Sequence, residues 1–194
     1  MIALDLDNTI LCYDEAFRSA AEEFDCLPPP GLPLNKATVK AAALAKGGNV
    51  LWTKLQGFAY GDGIVNARLF PGCTDFIQRA SMIDEKLVVI SHKTMFPANG
   101  PKVNLRAAAT QCLNQNQFDP AIPVIFCDSR DEKVSHLQSL KCRAVVDDLP
   151  EVLETPGFPD FTQFVLFDPT NNHEGWAASR RVVSWIEAAE LLMP

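Results

Sequence analysis

An α/β fold with a mainly parallel sheet covered by helices on both faces, three layers in all, is what this sequence predicts. Three observations predict it. Short apolar runs alternate along the chain with stretches whose apolar residues recur every three to four positions. Asp5, Asp7, Ser91, Asp147 and Asp148, polar residues of catalytic type, fall where apolar runs end. The length of 194 residues suits one domain with a modest insertion, and no repeat or low-complexity tract interrupts it. Strands linked by helices cross over right-handedly, which gathers the strand ends along one edge of the sheet.

The first strand is the apolar run Ile2, Ala3, Leu4 and Leu6, carrying Asp5 and Asp7 at its carboxyl end. Alternation along an extended chain would place these two acids on one side. Residues 14–24 read as a helix, with Ala16, Phe17, Ala20, Ala21 and Phe24 on one face. Cys26 to Pro33 holds four prolines and breaks regular structure. Asn35 is placed to cap a helix over 36–46, which Gly47-Gly48 ends, and a further helical stretch runs over 50–59. Residues 14–67 thus form a small helical module inserted after the first strand. Thr74 is placed to cap the helix containing Phe76, Ile77 and Ala80. The rest alternates: strand 87–90 with Ser91 at its tip, helix 103–114, strand 123–127, helix 131–140, strand 143–146, a short helix 149–153, strand 164–167 and a closing helix from Ser179 to Leu192.

Composition excludes several classes. Hydrophobic content of 47% and charged content of 21% are those of an ordinary globular protein. A net charge of -7 argues against nucleic acid as the main partner, since phosphate contacts need clustered Lys and Arg. No stretch approaches the ~20 apolar residues of a membrane span, and Asp5 and Asp7 break the first apolar run, so neither a membrane partner nor a signal peptide is expected. Six scattered cysteines include no C-x-x-C pair, which argues against a zinc site and suits reduced thiols in the cytoplasm.

The order along the chain is Asp5-x-Asp7-x-Thr9, then Ser91, then Lys133 at a helix start, then Asp147-Asp148. This resembles the haloacid dehalogenase (HAD) superfamily of phosphohydrolases, whose four motifs come in this order and in these contexts. The resemblance covers 1–13 and 68–194 as a HAD-like Rossmannoid core, with 14–67 as a small helical cap insertion. It implies an Mg²⁺-dependent phosphatase acting on a small phosphorylated metabolite through an aspartyl-phosphate. A phosphotransferase of the same family is the alternative, as is a receiver-like phosphoaspartate signalling domain. In the receiver-like case the order of motifs fits poorly.

Hydrolysis of a phosphate ester by a carboxylate needs a nucleophile, a cation, a proton donor and groups that hold the phosphoryl oxygens. Asp5 is the candidate nucleophile, and Asp7 the candidate acid and base. Asp5, Asp147 and Asp148 are candidate Mg²⁺ ligands, and the resemblance adds the backbone carbonyl of Asp7. Thr9, Ser91 and Lys133 are the candidate phosphate holders. Trp52, Gln56 and Tyr60, spaced four apart in the insertion, together with His92 and Lys93, are candidate substrate contacts. Plainer roles compete with these. Trp52 and Tyr60 can be packing residues, Lys133 a solvated helix-start lysine, Asp147-Asp148 an N-cap, and His136 a structural mid-helix residue. An Asp at position 7 argues for phosphoryl chemistry over dehalogenation, because the resembled dehalogenases lack it.

Overall fold

In the computed structural model, residues 1–176 and 180–193 are described. In chain order the elements are β1 (Ile2–Leu4), β2 (Leu11–Cys12), α1 (Asp14–Glu23), α2 (Lys36–Tyr60), β3 (Arg68–Leu69), α3 (Cys73–Met82), β4 (Leu87–His92), α4 (Leu105–Gln115), β5 (Val124–Cys127), α5 (Arg130–Ser139), β6 (Ala144–Asp147), β7 (Gln163–Phe167), β8 (Arg181–Val182) and α6 (Trp185–Leu192). Single turns of 3-10 helix cover Asp62–Asn66 and Pro150–Val152. The chain divides into two compact units, one of Met1–Leu11, Leu69–Lys93 and Asp119–Pro194, the other of Cys12–Arg68 and Thr94–Phe118. The insertion expected over 14–67 lies in the second unit, which also takes in Thr94–Phe118.

The first unit is built on a six-stranded parallel sheet of order β5-β4-β1-β6-β7-β8. Side chains alternate between its faces. Ala3, Val88, Ile90, Val145, Phe164 and Leu166 share one face and pack with Leu137 of α5. Phe167 faces the other way and meets Trp185 of α6 and Phe70, while Phe76 of α3 meets Trp185 edge-on. The sheet is therefore a middle layer between helices, and strands buried on both faces read as continuous apolar runs. The six strands of this sheet run the same way, so their carboxyl ends share one edge, as the sequence predicts.

Three local expectations are corrected. β1 stops at Leu4, and Asp7 is not on its face. The chain turns after Asp5, with Ile10 and Leu11 donating to the Leu6 carbonyl, Asn8 donating to the Leu11 carbonyl, and Asn8 left-handed at φ 63°. Asparagine tolerates that conformation better than most residues, and the turn lets Leu6 and Ile10 be fully buried. Thr74 does not cap α3. Gly72 holds that position at φ 82°, which suits glycine. α6 starts at Trp185, where the Ser184 side chain accepts from the Glu187 N–H. Before it the two-residue β8 adds an edge strand to the sheet. The helix start expected at Ser179 lies outside the described residues.

The second unit is helical. Asn35 caps α2 in a reciprocal box with Thr38. Gly47 and Gly48 depart from helical angles inside α2, giving a kink where two helices were expected to meet. Phe17 of α1 stacks on Trp52 at 5.7 Å between centroids, and Tyr60 meets Phe17 and Tyr13 edge-on. Gly57 approaches the loop before α4 so closely that a Cβ there would lie 2.7 Å from the Asn99 carbonyl oxygen. Trp52 is 5% exposed. Trp52→Phe is expected to lower the unfolding free energy by about 1 to 3 kcal/mol, from lost contact area. Urea titration followed by circular dichroism checks this. An unchanged midpoint would show that the indole does not hold α1 against α2.

Candidate active site

The site is assembled by register. Leu4 pairs with Val89 on one side and Val146 on the other, so Asp5 and Asp147 emerge side by side at the carboxyl edge. Asp5 stays in the ladder by donating its N–H to the Val146 carbonyl at 2.8 Å. Asp5 continues the face that carries Ala3, and Asp147 the face that carries Val145, and α5 covers that face. On α5, Lys133 lies one turn before Leu137 and so projects over the same strands. Its Nζ donates to Asp5 Oδ1 and to Asp147 Oδ2, both at 2.6 Å. All three residues are buried, so Lys133 is not a solvated helix-start lysine.

The N-cap expected of Asp147-Asp148 does not form, since Leu149 holds that position without a side-chain cap, and Asp147 instead closes a local turn. Its Oδ1 accepts from the Leu149 N–H at 3.0 Å. Asp148 is half-buried. Carboxylate oxygens of Asp5, Asp147 and Asp148 all lie within 4.8 Å of one another. Lys93, buried at the end of β4, donates to Asp7 Oδ2 at 2.6 Å. His92 beside it is exposed. Thr9 and Ser91 are buried at the same edge, and Thr9 Oγ1, Ser91 Oγ and Asn8 Nδ2 make no hydrogen bond among the described residues. A buried polar atom left without a partner costs about 1–3 kcal/mol, a cost that a bound acceptor would remove. Trp52, Gln56 and Tyr60 lie on α2 in the second unit, where Trp52 and Tyr60 contribute to the packing around Phe17.

The electrostatics favour an added cation. At formal charges Asp5, Asp7, Asp147 and Asp148 carry four negative charges, and Lys93 and Lys133 return two. The shortfall is felt at Asp5. Burial pushes its carboxyl up to about 7 against the pull of Lys133, and the nearby Asp147 and Asp7 carboxylates add to the rise. On Lys133, burial works to lower the ammonium pKa, but Asp147 and then Asp5 outweigh it and hold the group above the usual lysine range. A divalent ion would supply the missing two charges. Hard carboxylate oxygens, two or three of them with room for water, are the donor set that Mg²⁺ takes. The residues present therefore fit this ion.

Sequence reasoning named each of these residues except Asn8. It did not separate Lys93, which contacts Asp7, from His92, which is exposed. Lys93 stands two residues after Ser91, a spacing that repeats a strand face, and that spacing was the available signal.

The architecture and this edge together define a HAD-like fold. Structures of hydrolases of that class superpose over nearly the whole chain. A HAD family hydrolase from Deinococcus radiodurans R1, with bound phosphate and sodium, matches 100% of this chain and 97% of its own at a TM-score of 0.61 and 13% identity. The HAD-hydrolase YfnB from Bacillus subtilis, bound to magnesium, matches 100% of this chain and 98% of its own at 0.59 and 11%. A predicted phosphoglycolate phosphatase from Haemophilus somnus 129pt matches 98% and 96% at 0.59 and 12%. No family model matches the sequence, and no curated protein does.

Proposed function

We propose that the protein is an Mg²⁺-dependent phosphatase of small phosphorylated metabolites, working through an aspartyl-phosphate on Asp5. The observation that carries this reading is the placement of Asp5. It is held by Lys133 against Asp147 within a three-carboxylate group at the edge of a parallel sheet, the edge at which open α/β folds bind ligands. The orphaned hydroxyls of Thr9 and Ser91 support it as phosphate donors. Likeness to hydrolases solved with phosphate or magnesium supports it too.

A carboxylate oxygen of Asp5 attacks phosphorus, and the bond from phosphorus to the leaving oxygen breaks. Asp7 gives that oxygen its proton. Asp7, now a carboxylate, takes a proton from water, whose oxygen attacks the phosphorus. Inorganic phosphate leaves and the Asp5 carboxylate is restored. Lys93 holds Asp7 in place through both steps, and Lys133 fixes the orientation of Asp5. Asp5, Asp147, Asp148 and the Asp7 carbonyl would hold Mg²⁺, which neutralises phosphoryl oxygens. A net charge of -7 favours a small substrate over nucleic acid. No disulfide joins the six cysteines, in keeping with a cytoplasmic setting. Among the described residues no helix is long and apolar enough to cross a membrane.

The test is phosphate release from a panel of sugar phosphates, nucleotides and phosphorylated acids, with Mg²⁺ or with EDTA. Multiple turnovers on at least one member, lost in EDTA, are expected. No turnover on any member would defeat the reading. Mg²⁺ should also raise the melting temperature, since binding at a hundred times Kd adds about 2.7 kcal/mol. Asp147→Asn should blunt that rise. A melting temperature indifferent to both Mg²⁺ and EDTA would mean the carboxylates hold no ion.

A further inference from the structure

We propose that Cys127, Glu132 and His136 form a second metal site, selective for a borderline transition ion such as Zn²⁺. A thiol sulfur, a carboxylate oxygen and an imidazole nitrogen from these residues lie within 4.8 Å of one another. Three elements of local structure bring them together. Cys127 ends β5, and the chain turns at once into α5. Glu132 and His136 are four apart on α5 and so share a face. That face lies over the strand end where Cys127 is fully buried. Glu132 and His136 are respectively exposed and half-buried, so the group opens to solvent at its outer side.

The chemistry separates this group from the carboxylate edge. Sulfur and imidazole are the donors that Zn²⁺ prefers, whereas Mg²⁺ takes oxygen. Three protein donors leave a fourth tetrahedral position for water or an external ligand. Glu132 is already oriented: its Oε2 accepts from the Asp128 N–H at 2.6 Å, which leaves Oε1 for an ion. Hydrogen-bonded support of a ligand's other atom is typical of metal sites. The thiol must lose its proton to become a ligand, and that proton passes to solvent. The absence of paired cysteines argued against zinc in the sequence. Here the donors are of three kinds and come from a strand end and a helix face. An ion bound there would clamp the start of α5 to the end of β5, one residue from Lys133. The proposal stands apart from the phosphatase reading, because none of its donors belongs to the carboxylate group.

The test uses Co²⁺ in place of Zn²⁺, added to the whole protein. Sulfur coordination gives a thiolate-to-cobalt charge-transfer band in the near ultraviolet, and one equivalent should saturate it. Cys127→Ser should abolish the band. His136→Gln, at a half-buried position that folding tolerates better, should weaken Co²⁺ binding by roughly tenfold or more. Asp147→Asn should leave the band unchanged, which keeps this result distinct from any failure of the phosphatase reading. Absence of the band in the unmutated protein would overturn the proposal. So would a band of equal strength and affinity in His136→Gln.

Discussion

Asp5→Asn is expected to abolish turnover on every phosphate ester the protein accepts, whatever the leaving group. The amide cannot form the acyl phosphate that the mechanism passes through. Lys133 keeps Asp147 as a partner in the variant, so the fold should survive, and far-ultraviolet circular dichroism would verify that. The measurement is phosphate release under saturating Mg²⁺ on one alkyl and one aryl phosphate. Residual multiple turnover on either would move the nucleophile elsewhere. The same assay on the unmutated chain separates an enzyme from a receiver-like switch, which takes up phosphate once and does not cycle.

Asp7→Asn is expected to slow alkyl phosphates by a hundred- to ten-thousand-fold, about 3 to 5 kcal/mol of barrier at about 1.36 kcal/mol per tenfold. An alkoxide is a poor leaving group and needs its proton delivered. Aryl phosphates leave more easily, so the loss on them should be smaller. Asp7 reaches its position through the turn at Asn8 and the ion pair with Lys93, and the amide would keep the turn while losing the proton. If Asp7→Asn hydrolyses alkyl phosphates at the unmutated rate while Asp5→Asn is inert, another group carries the proton. His92 and Asp148 are then the first to substitute.

The strands buried on both faces were legible because nothing polar interrupts them. Val88, Val89 and Ile90 can only lie inside a covered sheet, and Val145 and Val146 likewise. The kink at Gly47-Gly48 and the cap at Asn35 were legible because their chemistry is local. Two-residue β8 was not, since a pair such as Arg181-Val182 is too short to show a period. Gly72 in place of Thr74 was missed because a left-handed residue before a helix leaves no side-chain signature. The site's order along the chain was readable in Asp5, Ser91, Lys133 and Asp147. What the sequence withheld was pairing. Nothing local says that Lys133 lies between Asp5 and Asp147, or that Lys93 and not His92 turns inward. Those facts follow from which helix covers which strands.

The register of β1 against β6 has a consequence for how the protein is made. Asp5 and Asp147 are far apart along the chain, and Asp5 is synthesised well before Asp147, yet the two become neighbours only when those strands pair. Pairing strands so far apart in sequence closes a long loop and comes slowly. A chain still emerging from the ribosome with Asp147 unmade has no three-carboxylate group to offer, so affinity for a divalent ion should arise in one late step. Calcium- or magnesium-sensitive fluorescence during refolding would then time the closure of the central sheet, and the ion would lock in only chains that had already finished it.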